Sequence, residues 1–212
     1  MFIIGITTGR CGSMSFAAFM NNQKKTTFTH EHAMQVTTWP VFEPYTSAMK
    51  TMRGYGGKYK GDISPGWCPW AVEVLRKHPK ATKIVWLHRD PKEVAESFIR
   101  QKEYKLGQWI RSFDGDDGFL GAYPVQERVW SYAAVHRCID RYFWLCKVMN
   151  TLYSDFVFPL HISELNSEEK QMELLTWIGY KPSEMRLGMP HLNKWSGVAD
   201  GERKTGQIGV IK

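Results

Sequence analysis

Two short segments carry side chains and spacings suited to holding an anion. The first reads Gly5-Ile6-Thr7-Thr8-Gly9-Arg10-Cys11-Gly12-Ser13-Met14-Ser15 and sets glycines, hydroxyls and one cation between an apolar run and a helical pattern. Glycines let the backbone curl until successive N–H groups converge, and a helix N-terminus adds partial positive charge, so such a turn suits a phosphate or sulfate. Arg10 supplies the formal charge. The bland alternative is an ordinary glycine-rich turn from strand to helix. The second segment is Arg89-Asp90-Pro91-Lys92-Glu93-Val94-Ala95-Glu96-Ser97, with the arginine at a strand end and the serine two helical turns beyond it. A guanidinium and a hydroxyl so placed converge on one phosphate. The competing reading pairs Arg89 with Asp90 or Glu93 and leaves Ser97 solvated.

Two common nucleotide signatures are missing. In GxxxxGK[ST] counted from Gly5, the second glycine's place is taken by Arg10, and Gly12 rather than lysine precedes Ser13. GxGxxG does not occur in this loop either, which argues against a dinucleotide site.

The elements that must position these segments follow from periodicity. Phe2 to Ile6 predicts a strand and Ser13 to Asn22 a helix, with a second strand over Thr26 to His30. Trp70 to Lys77 reads as a helix. Lys83 to His88 is a continuous apolar run of the kind buried on both faces of a parallel sheet. Pro91 suits the first turn of a helix, here running to about Tyr104. A long amphipathic helix is expected from Gln126 to Leu152, a strand from Phe156 to Ile162, and a helix from Ser167 to Ile178 stopped by Gly179. Arg53 to Pro69 and Ser112 to Pro124, rich in glycine and proline, read as loops. Alternating strands and helices predict an α/β fold, a central, mainly parallel β-sheet flanked by helices, with ligands at the carboxyl ends of its strands.

Composition agrees. With 212 residues, the chain is long enough for one domain, 1–212, with a substantial core. Apolar residues at 43% and charged residues at 23% exclude wholesale disorder. The net charge of +7 favours anionic ligands. Nucleic acid is not the expected partner, because the positive residues are scattered and no nucleic-acid-binding motif is present. No run approaches the roughly 20 apolar residues of a membrane span, and Met1 to Ile6 lacks the basic start of a signal peptide, so a cytoplasmic setting is expected. Cys11, Cys68, Cys138 and Cys146 lack zinc-ligand spacing; no metal is expected, and the thiols read as reduced and buried.

Together the two anion segments resemble the sulfotransferases that use 3′-phosphoadenosine 5′-phosphosulfate (PAPS), which share a P-loop-NTPase-like fold. In that family a [KR]-x-G-[ST] turn holds the 5′-phosphosulfate, and Arg10, Cys11, Gly12 and Ser13 match it. Arg89 and Ser97 match the RDP-to-serine segment that holds the 3′-phosphate. Gly61-Asp62-Ile63-Ser64-Pro65 is similar to a further family segment, and Phe158 to Tyr180 to its strand, turn and helix, so the likeness runs from Phe2 to about Tyr180.

The resemblance implies sulfuryl transfer from PAPS to an acceptor hydroxyl, with adenosine 3′,5′-bisphosphate as product. Arg10 would face the bridging and 5′-phosphate oxygens, and the backbone and hydroxyls of Cys11, Gly12, Ser13, Met14 and Ser15 would complete the cradle. Met14 stands where the family commonly has serine or threonine, which leaves room for a nucleotide-binding protein without turnover. Family bases are a glutamate or histidine near the end of the second strand; here that place holds His30, Glu31 and His32, with Glu31 favoured, and the bland alternative is three solvated side chains. Asp62, Lys58 and Lys60 are weaker candidates. Arg203 and Lys204 lie in a segment similar to the basic loop that closes over the 3′-phosphate, and a solvated tail is the competing reading. Trp39, Trp67 and Trp70 either line an acceptor cleft or fill the core. A nucleotide or small-molecule kinase with an atypical phosphate loop is the nearest alternative enzyme.

Overall fold

A computed structural model describes residues 1–34, 44–68, 70–100 and 132–189. Its centre is a sheet of five strands: β1 (Phe2–Ile6), β2 (Thr26–His30), β3 (Tyr59–Ile63), β4 (Thr82–His88) and β5 (Val157–His161). They lie in the order β2-β3-β1-β4-β5. Every pairing is parallel, with Ile6 opposite Trp86 and His88 opposite His161. A parallel neighbour needs a crossover, and the helices supply them: α1 (Ser13–Asn21), α2 (Pro44–Gly54), α3 (Ala71–Lys77), α4 (Pro91–Arg100), α5 (Tyr132–Leu152) and α6 (Glu168–Ile178).

Strand alternation divides the core in two. Ile3, Val85 and Leu87 pack on one face with Phe16 and Phe19 of α1 and Leu174 and Leu175 of α6. Ile4, Ile6, Ile84 and Trp86 pack on the other with Met49 and Met52 of α2, Val74 of α3, and Tyr142 and Cys146 of α5. Trp67 is fully buried here and belongs to the core.

Arg53 to Pro69, read as a loop, carries regular structure instead, β3 and a 3₁₀ turn over Pro65–Trp67, and α2 forms where the sequence pattern predicted no element. Strand β3, YKGDI, hides its nature behind a glycine and two charged residues. A Cβ on Gly61 would collide with the Phe28 ring and the Ile3 carbonyl, so close strand approach requires the glycine. Lys60 turns outward to the Arg53 carbonyl, and Asp62 is buried on hydrogen bonds described below. The expected continuations of α4 to Tyr104 and of α5 back to Gln126 lie outside the described residues. So do Trp39, Arg203 and Lys204.

Candidate functional site

Strand order places the natural ligand crevice. The connection after β1 leads toward β2 on one side, while β5 lies beyond β4 on the other, so the carboxyl ends of β1 and β4 flank a topological switch point. The loop after β1 carries Arg10; the loop after β4 carries Arg89.

The β1–α1 loop is a tight left-handed turn. Gly9 (φ 77°), Arg10 (φ 56°) and Gly12 (φ 76°) all have positive φ. Gly12 precedes α1 and offers no side-chain cap. The first helical bond runs from Phe16 N–H to the Gly12 carbonyl at 3.0 Å, so the N–H groups of Ser13, Met14 and Ser15 have no acceptor within the helix. Cys11 is buried beneath the loop, its sulfur 2.9 Å from Thr8 Oγ1, and burial pushes its thiol pKa up. What Cys11 can offer an anion is its backbone. The Met14 side chain is 59% exposed and likewise leaves the backbone as its contribution.

The RDP segment is explained by helix-start chemistry. Asp90 Oδ1 accepts from the N–H groups of Lys92 and Glu93 at 2.9 and 3.1 Å, capping α4, and Pro91 takes the first helical position. This start aims Arg89 and Ser97 at the crevice. Arg10 Nε donates to Ser97 Oγ at 3.2 Å, so the two segments read separately in the sequence meet. Burial first, and then the neighbouring Arg89 guanidinium, lower the Arg10 pKa. Two cations held near one another form a field that an anion relieves. Arg89 also pairs with Glu93 at 2.5 Å, the competing contact anticipated above; an anion would draw on the donors that this pair leaves.

At the end of β2, His30 and His32 face different ways. His30 Nε2 lies 2.8 Å from Ser13 Oγ, on the α1 face and against the β1–α1 loop. Glu31 follows with φ 52°, its Oε1 3.9 Å from His30 Nε2. Burial raises the Glu31 pKa, the nearby His30 opposes that shift, and Asp62 adds to it. A half-buried carboxylate so tuned is suited to taking a proton from a hydroxyl. His32 turns to Tyr55 instead, Nδ1 to hydroxyl 3.0 Å, so it does not join Ser13 and His30.

Asp62 is the residue whose weight the sequence understated. Its Oδ1 accepts from Thr29 Oγ1 (2.6 Å) and from the N–H groups of His32 (3.1 Å) and Ala33 (3.3 Å). Its Oδ2 accepts from Met34 N–H (3.2 Å) and Trp67 Nε1 (2.8 Å). These donors secure the turn that carries Glu31, a left-handed conformation that costs a non-glycine residue about 1–3 kcal/mol. They also occupy the carboxylate that would otherwise be available to a magnesium ion, as in a kinase. A buried aspartate in a strand, five residues before a tryptophan, was the available signal. Lys58 lies far from the crevice, pairing with Glu184 at 3.3 Å near the amino end of β3.

Compared by sequence, the chain matches no protein-family model and no curated protein. Compared by structure, it is similar to a sulfotransferase from Alicyclobacillus acidocaldarius, with a TM-score of 0.54 at 14% identity over 84% of this chain and 81% of that one. It is also similar to the mouse sulfotransferase SULT7A1 complexed with PAP, with a TM-score of 0.52 at 13% identity over 87% of this chain. The match spans 60% of the mouse chain. The chain has the sulfotransferase fold.

Proposed function

We propose that the chain is a single-domain sulfotransferase that moves a sulfuryl group from PAPS to a hydroxyl of an acceptor, releasing adenosine 3′,5′-bisphosphate. The observation that carries this reading is the meeting of Arg10 with Ser97 above the ends of β1 and β4. The donor set fits the nucleotide: two guanidiniums, the hydroxyls of Ser13, Ser15 and Ser97, and the N–H groups at the start of α1 are what two separate phosphates require. The nucleotide supplies an activated sulfuryl group on a phosphate leaving group.

The remaining work falls to the chain. Arg10, with the backbone of Cys11, Gly12, Ser13 and Met14 and the hydroxyls of Ser13 and Ser15, stabilises negative charge growing on the leaving phosphate. Arg89 and Ser97 hold the 3′-phosphate, and Arg203 and Lys204 cover it. Binding exchanges the Arg10–Ser97 hydrogen bond for phosphate oxygens. Glu31 accepts the proton of the attacking hydroxyl, while His30, hydrogen-bonded to Ser13, links that base to the cradle. Among the described residues no helix is long and apolar enough to cross a membrane. We infer a cytoplasmic setting in which Cys11, Cys68 and Cys146 remain thiols.

Calorimetric titration with adenosine 3′,5′-bisphosphate, ATP and AMP at one ionic strength tests the reading. Selective binding that depends on the 3′-phosphate is the expected outcome. No binding, or preference for ATP with magnesium, would overturn it in favour of a kinase.

A further inference from the structure

On the face of β2 opposite Ser13 and His30, four side chains form a continuous hydrogen-bond chain that ends on an exposed imidazole. Thr29 Oγ1 lies 2.6 Å from Asp62 Oδ1 and 3.0 Å from the Tyr55 hydroxyl, which lies 3.0 Å from His32 Nδ1. The direction of each proton follows from counting donors. A carboxylate only accepts, so the single Thr29 hydroxyl proton points at Asp62. The Thr29 oxygen must then accept from Tyr55. Tyr55 has given its one proton, so its oxygen accepts from His32 Nδ1–H. The neutral imidazole is thereby held with its proton on Nδ1 and a lone pair on Nε2. Asp62 also takes the N–H groups of His32 and Ala33, so the base of the ring is fixed by the same carboxylate.

We infer that His32 binds the acceptor substrate, its Nε2 taking a hydrogen bond from a hydroxyl of the molecule that enters beside Glu31; this rests on the reading of the site as one of transfer to a hydroxyl. His32 is exposed and adjacent in sequence to Glu31, which is half-buried. A molecule carrying two neighbouring hydroxyls satisfies both groups, one hydroxyl donating to Glu31 and the other to His32 Nε2. The substrate class so selected is the polyols, sugars included. The opposite tautomer would present a donor and favour anionic groups instead. Tyr55 is a positioning residue that acts through His32.

Nitrogen-15 NMR of histidine-labelled protein reads the tautomer directly, with the His32 signals assigned by their loss in His32→Gln. The wild type should show the proton on Nδ1, and Tyr55→Phe, which keeps the ring and removes the hydroxyl, should move it toward Nε2. Titration with glycerol or glucose should shift the His32 Nε2 resonance, with affinity about two- to tenfold weaker in Tyr55→Phe, the range of one hydrogen bond. A proton on Nε2 in the wild type, an unchanged tautomer in Tyr55→Phe, or an Nε2 resonance that neither polyol moves would overturn the inference. Titration of the same sample with adenosine 3′,5′-bisphosphate separates the two readings. Nucleotide binding with the wrong tautomer defeats this inference alone, and the right tautomer without nucleotide binding defeats the sulfotransferase reading.

Discussion

Arg10 and Ser97 are 87 positions apart in the chain and hydrogen-bonded at 3.2 Å. The contact ties the turn after β1 to the helix after β4 across the switch point of the sheet. On the proposed reading it joins two half-sites into one anion site, to which Arg89 adds its charge. Replacing Arg89 by alanine removes a charge-assisted hydrogen bond of about 1.5–3 kcal/mol, so adenosine 3′,5′-bisphosphate should bind about 10- to 150-fold more weakly. Calorimetry checks this, and unchanged affinity would remove Arg89 from the site. Ser97→Ala, which loses a neutral donor, should cost less.

Glu31 should separate catalysis from binding. Glu31→Gln preserves shape and removes the proton acceptor, so nucleotide affinity should stay within about twofold while turnover falls by the 10²–10⁴-fold typical of general-base loss. Because burial raises the Glu31 pKa from its ordinary 4.5, activity should rise with pH through a midpoint above that value. A pH profile of kcat/KM reads the midpoint. A midpoint at or below the ordinary value, or retained turnover in the glutamine variant, would assign the base elsewhere.

How much of this was legible in advance depended on the kind of information each residue carries. Strand β4 announced itself because a strand buried on both faces needs an unbroken apolar run, and α4 because Asp90 and Pro91 are what a helix start requires. Strand β3 stayed hidden because its glycine and its aspartate answer to neighbours distant in sequence, Phe28 for one and Thr29 for the other. The Arg10–Ser97 contact was legible because Arg10 lies in the turn between a strand and a helix, and Ser97 stands two helical turns beyond a strand-end arginine. The different duties of His30, Glu31 and His32 were not, since three consecutive polar residues give no sign of which one meets Ser13. Strand alternation decides that, and it sends His30 to one face and the Thr29 chain to the other.

Gly12 tests the geometry of the cradle. At φ 76° an alanine is strained, and its Cβ would come within 2.5 Å of Ile162 Cδ1. Gly12→Ala should destabilise the fold by about 1–3 kcal/mol and weaken nucleotide binding as the N–H groups of the turn shift. Adding Ile162→Ala relieves the collision and leaves the backbone strain. Thermal denaturation of the single and double variants, corrected for Ile162→Ala alone, should therefore show partial recovery. Full recovery would mean that the left-handed turn is unnecessary, and none would mean that Ile162 is not the obstacle.

At the amino end of the sheet, the nearly buried Glu184 ties the chain after α6 back to β2 and β3. It pairs with Lys25 at 2.9 Å and Lys58 at 3.3 Å, and accepts from the Tyr59 hydroxyl at 3.1 Å. The hydrogen bond from Lys25 is the main cause that pulls its pKa from 4.5 down to about 2, with the Lys181 N–H next. A carboxylate with a lower pKa in the folded state than in the unfolded chain adds stability that is complete above the unfolded value. That stability is lost as pH falls from about 4.5 through about 2, where the folded state must also take the proton. Glu184→Gln cannot titrate, so it should be less stable than the wild type at neutral pH, and the difference should shrink steadily as the solution is acidified across that window. Chemical denaturation at a series of pH values measures both curves. A gap between them that is independent of pH would show that Glu184 acts by its shape and hydrogen bonds and not by its charge.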